Sequence, residues 1–200
     1  MSKLLLATNN KAKVREYRHL LQSLPFELVT PAQVGITTIV EETGNSLEEN
    51  ARLKAATLAA ESQLIALADD SGLEVDALGG EPGPLSARYA GENASDTERT
   101  YYLLAKLKNV PREKRTARFC CVIAIATPDG RVGFSCGERR GLITFAPRGT
   151  HGFGYDPVFY LPELGKTMAE LPLEMKGQAS HRGQAARGVP QALKELKLNG

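Results

Sequence analysis

The stretch that most constrains the fold is Leu64–Gly72, which reads LIALADDSG. A short apolar run that ends in carboxylates and glycine predicts a buried strand that delivers acids to the edge of a cleft. A second acidic doublet, Glu41 and Glu42, ends the apolar stretch Ile36–Val40. Two carboxylate clusters at strand ends are able to hold a hard divalent cation. The alternative is that both doublets are turn residues that cap adjacent elements.

A lysine-containing loop, Thr8–Lys13, reads TNNKAK and follows the first predicted strand. Asn9 or Asn10 is suited to cap the helix that follows. Helix N-termini bind phosphate readily because their N–H groups are free and the dipole end is positive. The loop lacks the glycines of a Walker motif, and a well-capped helix with solvated lysines is the alternative. Together with the acidic doublets, the loop predicts an enzyme that acts on a phosphorylated substrate through magnesium.

The composition is that of an ordinary globular protein. The chain has 200 residues, of which 42% are apolar and 24% charged, and its net charge is +2. This predicts one domain, no membrane span, and no polyanionic partner such as nucleic acid. The three cysteines and three histidines show no zinc spacing, which favours buried, reduced thiols in a cytoplasmic protein.

The hydrophobic patterning predicts an α/β domain with a mixed sheet. Capping boxes that begin at Ser46 and Ser95 each predict a helix start. The other predicted elements are strands at Lys3–Ala7, Phe26–Thr30, Arg118–Thr127, Val132–Cys136 and Leu142–Phe145, a turn at Pro128–Gly130, a loop over Pro147–Pro162 and a last helix over Gln184–Leu196.

An aromatic loop, Gly152–Pro157, reads GFGYDP. The rings of Phe153 and Tyr155 offer flat faces for base stacking, worth about 1–3 kcal/mol per base, and Asp156 offers an acceptor for ring N–H groups. A tight loop with core aromatics is the alternative. Further on, the segment Ser180–Arg182 precedes the last helix, where it is either a simple cap or part of a site. A serine hydrolase is disfavoured because no Gly-x-Ser-x-Gly elbow is present.

In their order along the chain, these motifs resemble the inosine triphosphate pyrophosphatase (ITPase) family, the Ham1-type pyrophosphatases of non-standard purine nucleotides. No single motif decides the resemblance, but the ordered combination spans nearly the whole chain and is highly specific. Asn9 stands where the family usually has glycine. The matching stretches are TNNKAK at 8–13, EETG at 41–44, ENA at 49–51, KA at 54–55, DDSGL at 69–73, residues 79–83, SARY at 86–89, residues 152–159 and SHR at 180–182.

The resemblance implies an elongated mixed α/β fold with flanking helices and two lobes around a central cleft. It implies a single ITPase-like domain over residues 1–200, and usually a homodimer. The implied reaction is magnesium-dependent hydrolysis of dITP, ITP and XTP at the α–β phosphoanhydride bond. The products are the monophosphate and pyrophosphate, and the reaction clears deaminated purines from the nucleotide pool.

The resemblance also implies roles for individual residues. Asp70 is the expected proton acceptor and a metal ligand, and Glu42 or Glu41 completes the metal site. The residues expected to contact the phosphates and sugar are Thr8, Asn9, Asn10, Lys11, Ala12, Lys13, Lys54 and Ser71. Those expected around the base are Phe153, Gly154, Tyr155, Asp156, Lys176, His181 and Arg182.

The chemistry of the base supports a selective site. Hypoxanthine presents an acceptor at position 6 where adenine presents a donor. A donor from His181 or Arg182 would therefore pair with the first and be left unpaired by the second, which can discriminate by about 10⁴–10⁵. The alternatives are a Maf-like pyrophosphatase, a nucleotide-sensing module without turnover, and, least favoured, a nucleic-acid-binding protein.

Overall fold

A computed structural model describes residues 2–197 of the chain. Within that range, eight strands and five α-helices are connected by short 3₁₀ turns and loops. Their bounds are β1 Ser2–Leu6, α1 Lys11–Leu20, β2 Phe26–Val29, α2 Leu47–Ser62, β3 Ile65–Val75, β4 Pro82–Gly83, α3 Asp96–Lys106, β5 Thr116–Ala126, β6 Val132–Ile143, β7 Phe159–Leu161, β8 Lys166–Thr167, α4 Leu173–Ala179 and α5 His181–Glu195.

The strands form one mixed sheet in the order β2-β1-β3-β5-β6-β7-β8, and β4 pairs with β3. Strand β1 runs parallel to both β2 and β3. The pairs β3–β4, β6–β7 and β7–β8 are antiparallel. The predicted α/β fold with a mixed sheet and flanking helices is therefore confirmed. Over residues 2–197, every helix is too short or too polar to cross a membrane.

The chain folds into two compact units, and each is built from separate segments. The first unit contains the described residues up to Asp70, then Cys121–Gly137, then those from Arg182 onward. The second unit contains Ser71–Cys120 and Glu138–His181. The chain thus passes between the units four times. One passage directly follows the doublet Asp69-Asp70, and another lies between His181 and Arg182.

In the first unit, alternate side chains of the strands enter two different buried clusters. Leu4 of β1 and Leu67 of β3 pack in a cluster with residues of α1 and α5. Leu5 and Ala66 pack in a second cluster with residues of α2. Because successive residues of a strand face opposite sides of the sheet, the two faces of this unit are covered by different helices.

The buried face of helix α2 contains a stripe of alanines. Ala51, Ala55 and Ala59 are spaced four residues apart and are fully buried. The helix begins at Ser46, whose hydroxyl accepts the Glu49 N–H. The predicted capping box is only half formed, because the Glu49 carboxylate accepts the N–H of residue 45 instead.

Both acidic doublets differ from their predicted setting at strand ends. Strand β3 continues through Asp69 and Asp70 to Val75, because β4 and β5 pair with it further along. Residues 37–44, which contain Glu41 and Glu42, form no strand. The apolar residues before that doublet are not a buried run, since Ile39 is 82% exposed. The prediction of strand-end carboxylates was therefore wrong for both doublets.

In the second half of the chain, several elements also differ from those that the hydrophobic pattern predicts. Strand β6 continues from Val132 to Ile143, so the two strands predicted there are one. Strand β7 lies inside the predicted loop over Pro147–Pro162, where Phe159 and Tyr160 pair with β6. Cys121 is buried, but Cys136 is exposed, so the prediction of buried thiols was wrong for Cys136.

The second unit packs around its own core, and a buried arginine closes one end of it. The Arg115 guanidinium donates hydrogen bonds to the carbonyls of Ile143 and Thr144, both at 2.9 Å, and of Leu107 at 3.0 Å. A buried charge is tolerated when its donors are satisfied. Arg115 therefore connects the end of α3 to the end of β6.

The complete capping box at Ser95 yields a stability prediction. The Ser95 hydroxyl accepts the Glu98 N–H, and the Glu98 carboxylate accepts the Ser95 N–H. Ser95→Ala should lower the free energy of unfolding by about 1 kcal/mol, because α3 loses its cap. Urea denaturation measures the loss. Ser23→Ala, in an exposed turn, is the matched control. Equal stability of the two variants would contradict the role of the cap.

Candidate active site

The acidic doublet lies on β3, just beyond the point where the parallel neighbouring strand β1 ends. The last residue of β1, Leu6, pairs with Leu67 of β3, and the Ala7 N–H donates to the Leu67 carbonyl at 2.7 Å. Asp69 and Asp70 follow two and three residues later and are both buried. The carboxyl ends of parallel strands are the common position of ligand sites in α/β sheets.

The side chain of Asp70 faces α2. The Lys54 ammonium lies 3.5 Å from Asp70 Oδ1 and 2.6 Å from Glu42 Oε1. Asn50, one turn before Lys54, donates from Nδ2 to Asp70 Oδ2 at 3.2 Å and accepts the Gly44 N–H at 2.8 Å. Helix α2 therefore holds the irregular segment that contains Glu42 next to Asp70.

The surroundings of Asp70 favour its neutral form more than water does. Burial raises the pKa of Asp70 above its ordinary value, and the Glu42 carboxylate acts in the same direction, whereas Lys54 opposes both. Burial alone would lower the pKa of Lys54, but the carboxylates of Asp70, Asp69 and Glu42 raise it, so the ammonium stays charged. A carboxylate with a raised pKa is a better proton acceptor.

The side chain of Asp69 faces α1 and α5 instead. Its Oδ1 lies 2.9 Å from the Lys13 ammonium, and its Oδ2 accepts from Arg182 Nε and Nη2 at 3.2 and 3.1 Å. Burial by itself would raise the pKa of Asp69, but the Lys13 ammonium and the Arg182 guanidinium hold it well below the ordinary value. The two adjacent acids therefore have pKa values shifted in opposite directions.

The lysine loop forms a capped helix start, as predicted. Asn10 is the cap, and its Oδ1 accepts the N–H groups of Ala12 at 2.9 Å and Lys13 at 3.2 Å. Two N–H groups that were expected for phosphate are thus bonded to the cap. Thr8 lies half-buried before the helix, whereas Asn9 and Lys11 are exposed. Contact of this loop with phosphate stays a prediction that rests on its lysines.

The carboxylates of Asp70 and Glu42 are the pair best suited to a hard cation. Within residues 2–197, no group of three or more histidine, cysteine, aspartate or glutamate side chains is placed to hold a metal ion. Both carboxylates contact the Lys54 ammonium, so positive charge is already stabilised between them. Oxygen donors of this kind fit Mg²⁺, which is often bound through one or two carboxylates and several waters. Glu41 is exposed beside them.

The aromatic loop in the second unit is organised around a buried ion pair. Asp156 Oδ2 accepts from Lys176 Nζ at 2.5 Å and from the Phe153 N–H at 2.9 Å. The Lys176 ammonium also lies 4.9 Å from the centroid of the Phe153 ring. Gly152 adopts a φ of +77°, and a Cβ there would approach Asp156 Oδ2 to 2.0 Å, so the close turn requires glycine.

Only one of the two aromatic rings remains a candidate for stacking. Tyr155 is 4% exposed, and its hydroxyl donates to the Ser86 carbonyl at 2.8 Å. The prediction that its ring offers a stacking face was wrong, because the ring belongs to the core of the second unit. Phe153 is half-buried. The Gly154 N–H donates to Asp96 Oδ2 at 2.6 Å, which anchors the loop to the start of α3.

The residues of the Ser180–Arg182 segment have separate surroundings. Ser180 directly precedes α5, and the buried His181 ring stacks on Phe119 with centroids 4.5 Å apart. Arg182 is buried and donates to Asp69, as described above, and to Glu16. The guanidinium therefore binds carboxylates, and contact of Arg182 with the base stays a prediction. Ser71 is half-buried on β3.

Three residues with clear roles in this geometry were not singled out by the sequence analysis. They are Glu16, Asn50 and Asp96, each of which holds a predicted site residue in place. The sequence held one indication for Glu16: it directly precedes Tyr17, which lies on the apolar face of α1. For Asn50 and Asp96 the patterning carried no comparable signal, because polar residues in the first turn of a helix are common.

The chain is similar to known proteins over nearly its whole length. The model of the Ham1 family matches residues 4–192. The dITP/XTP pyrophosphatase of Geobacter sulfurreducens is 52% identical over 185 residues, which cover 92% of this chain and 93% of that protein. A dITP/XTP pyrophosphatase of Thermus thermophilus is 51% identical over 193 residues, 96% of this chain and 92% of that protein.

Solved structures show the same fold. A HAM1 protein from Coxiella burnetii superimposes with a TM-score of 0.87 at 41% identity, over 98% of this chain and all of that one. The Staphylococcus aureus Ham1 protein gives 0.84 at 42% identity with the same coverage. The fold is that of an α/β protein whose mixed sheet carries two adjacent buried aspartates on β3. The chain belongs to the Ham1 family.

The ion pair in the aromatic loop yields a stability prediction. Asp156 and Lys176 are each 4% exposed at their side chains. Lys176→Met should cost about 3–5 kcal/mol of unfolding free energy, because the Asp156 carboxylate stays buried without its cation. Replacing both residues, by Asp156→Leu with Lys176→Met, should restore part of the loss. Denaturant titration of both variants checks this, and a double variant less stable than Lys176→Met would contradict it.

Proposed function

We propose that this protein hydrolyses the triphosphates of deaminated purines, dITP, ITP and XTP, to the monophosphate and pyrophosphate. The observation that carries the proposal is the contact of Lys54 with both Glu42 and Asp70 in a chain of the Ham1 family. The relatives named dITP/XTP pyrophosphatases support the substrate class. In this proposal the enzyme acts as a nucleoside triphosphate pyrophosphatase in nucleotide metabolism.

Asp70 is the proposed proton acceptor for the water that attacks the α-phosphorus. Its raised pKa makes it a stronger base than an exposed aspartate, and the Asn50 amide fixes one of its oxygens. Lys54 opposes this rise in the pKa of Asp70, because the ammonium favours the charged form of the carboxylate. Asp69 is less suited to this task, since its pKa is low and both its oxygens bind cations.

The proposed cofactor is Mg²⁺, held by Asp70 and Glu42, with Glu41 as the alternative ligand. The residues present fit a magnesium ion because they offer carboxylate oxygens. The carboxylates of Asp70 and Glu42 already share one cation, the Lys54 ammonium. When bound, Mg²⁺ would acidify the attacking water and neutralise charge on the phosphates. Lys54 then contributes its own positive charge to the phosphates, together with Lys13 and Lys11 of the loop.

The groups proposed to hold the base are those that the family resemblance implies. The Phe153 ring offers a face for stacking, and the adjacent Lys176 ammonium and Asp156 carboxylate offer a donor and an acceptor. A donor from His181 or Arg182, side chain or backbone, is proposed to pair with the acceptor at position 6 of hypoxanthine or xanthine. Adenine presents a donor there and would leave such a group unpaired.

Other properties follow from the resemblance and are part of the proposal. They are a homodimeric assembly, a cytoplasmic location, and no nucleic-acid or membrane partner. A Maf-like activity on other nucleotides is less favoured, because the family match covers residues 4–192. A sensing module without turnover is less favoured as well, because the raised pKa of Asp70 suits proton transfer.

The product distinguishes the proposed reaction from other nucleotide hydrolysis. With ITP, XTP, GTP and ATP in the presence of magnesium, we expect pyrophosphate and the monophosphate from ITP and XTP. ATP should react far more slowly, because adenine presents an amino donor at position 6 where the deaminated bases present an acceptor. Separate assays for pyrophosphate and orthophosphate measure the outcome. Release of orthophosphate with IDP would contradict the proposal.

Asp70→Asn tests the assignment of the base. The variant keeps the size of the side chain but cannot accept the proton, so turnover of ITP should fall by about 100-fold or more. Asp129→Asn, in an exposed turn, is the matched control and should keep the wild-type rate. Steady-state kinetics and thermal unfolding of both variants provide the comparison. An Asp70→Asn enzyme with more than about a tenth of the wild-type rate would require a different base.

A further inference from the structure

Four charged side chains of the first unit form a buried network that the proposed chemistry does not use as a whole. Its members, the four-residue ion network, are Lys13, Asp69, Arg182 and Glu16. Their side chains are 14%, 1%, 2% and 8% exposed. Two are cations and two are anions, so the network is neutral. Buried charges are tolerated when they are paired in this way.

Arg182 is the centre of the network. Its Nε and Nη2 donate to Asp69 Oδ2, and its Nη1 donates to Glu16 Oε2 at 2.8 Å. The guanidinium also lies 5.9 Å from the centroid of the Tyr17 ring. A planar guanidinium held on two sides by carboxylates has a fixed orientation. Its position therefore depends on both acids.

Glu16 connects this centre to the lysine loop through the helix. It lies three residues after Lys13 on α1, so the two side chains are neighbours on one helix face. The helix thus carries both ends of the network, the Lys13 ammonium on Asp69 and the Glu16 carboxylate on Arg182. The four side chains and α1 therefore form a closed ring of contacts that joins α1, β3 and α5.

We propose that Glu16 is a positioning residue that sets the place of the Lys13 ammonium through Arg182 and Asp69. The inference rests on the proposed function, in which Lys13 binds the triphosphate. Without the Glu16 charge, Arg182 keeps its contact with Asp69 and competes with Lys13 for that carboxylate. Lys13 then loses its fixed position, and every triphosphate binds less well because all carry the same phosphates.

The test compares Glu16→Gln with Glu27→Gln. Glu27 is exposed on β2, so its variant has the same change of charge outside the network. A misplacement of about 1 Å can cost about 100-fold, and we expect a rise of about tenfold in KM for ITP and XTP alike in Glu16→Gln. In Glu27→Gln both constants should equal those of the wild type. Loss of folded protein would lower the apparent kcat and leave KM unchanged, which separates positioning from stability.

A second variant tests whether Glu16 acts through Arg182. Arg182→Lys keeps the charge but lacks the planar fork, so it should also raise KM. Because both changes disturb the same guanidinium, the double variant Glu16→Gln with Arg182→Lys should be no worse than about the poorer single variant. Full multiplication of the two effects on KM would show independent roles and overturn the proposal.

The outcomes separate this inference from the proposed function. A wild-type enzyme that releases no pyrophosphate from ITP or XTP overturns the proposed function, and with it the role of Glu16. An active wild type with an unchanged KM in Glu16→Gln overturns the role of Glu16 alone. A raised KM with wild-type thermal stability, combined with a non-multiplicative double variant, supports the positioning role.

Discussion

Successive residues of a β-strand face opposite sides of the sheet, and this constraint separates Asp69 from Asp70. On β3 the apolar residues before the doublet already alternate between the cluster under α1 and α5 and the cluster under α2. The doublet continues the alternation with charged side chains. Asp69 therefore meets the cations of α1 and α5, and Asp70 meets the lysine and asparagine of α2.

The same constraint gives the two acids different electrostatic roles. Two cations hold the pKa of Asp69 low, so it can serve as a permanent anion around which Lys13 and Arg182 are arranged. Burial and the Glu42 carboxylate raise the pKa of Asp70, which makes it the member able to exchange a proton. Active sites often shift the pKa values of two neighbouring carboxylates in opposite directions. One carboxylate then exchanges a proton, and the other stays charged and supports it.

The sequence predicted the fold class and the family well, because motif order and hydrophobic periodicity are local properties. It also placed Lys54 on a helix and offered Asn10 as one of two possible caps for α1. It could not show that Tyr155 is a core residue or that Arg182 binds carboxylates, since both facts depend on contacts between distant segments. Strand β7 was missed because three residues carry too little periodicity. Glu42 was assigned to the end of a strand, but residues 37–44 form no strand.

The location of the metal ion tests the central claim most directly. A crystal structure with Mn²⁺ in place of Mg²⁺ and a non-hydrolysable ITP analogue would locate the ion through its anomalous signal. The account predicts the ion on the carboxylates of Asp70 and Glu42, on the α2 side of β3, with Asp69 still bound to Lys13 and Arg182. An ion coordinated by Asp69, with Lys13 displaced from it, would contradict the division of roles within the doublet.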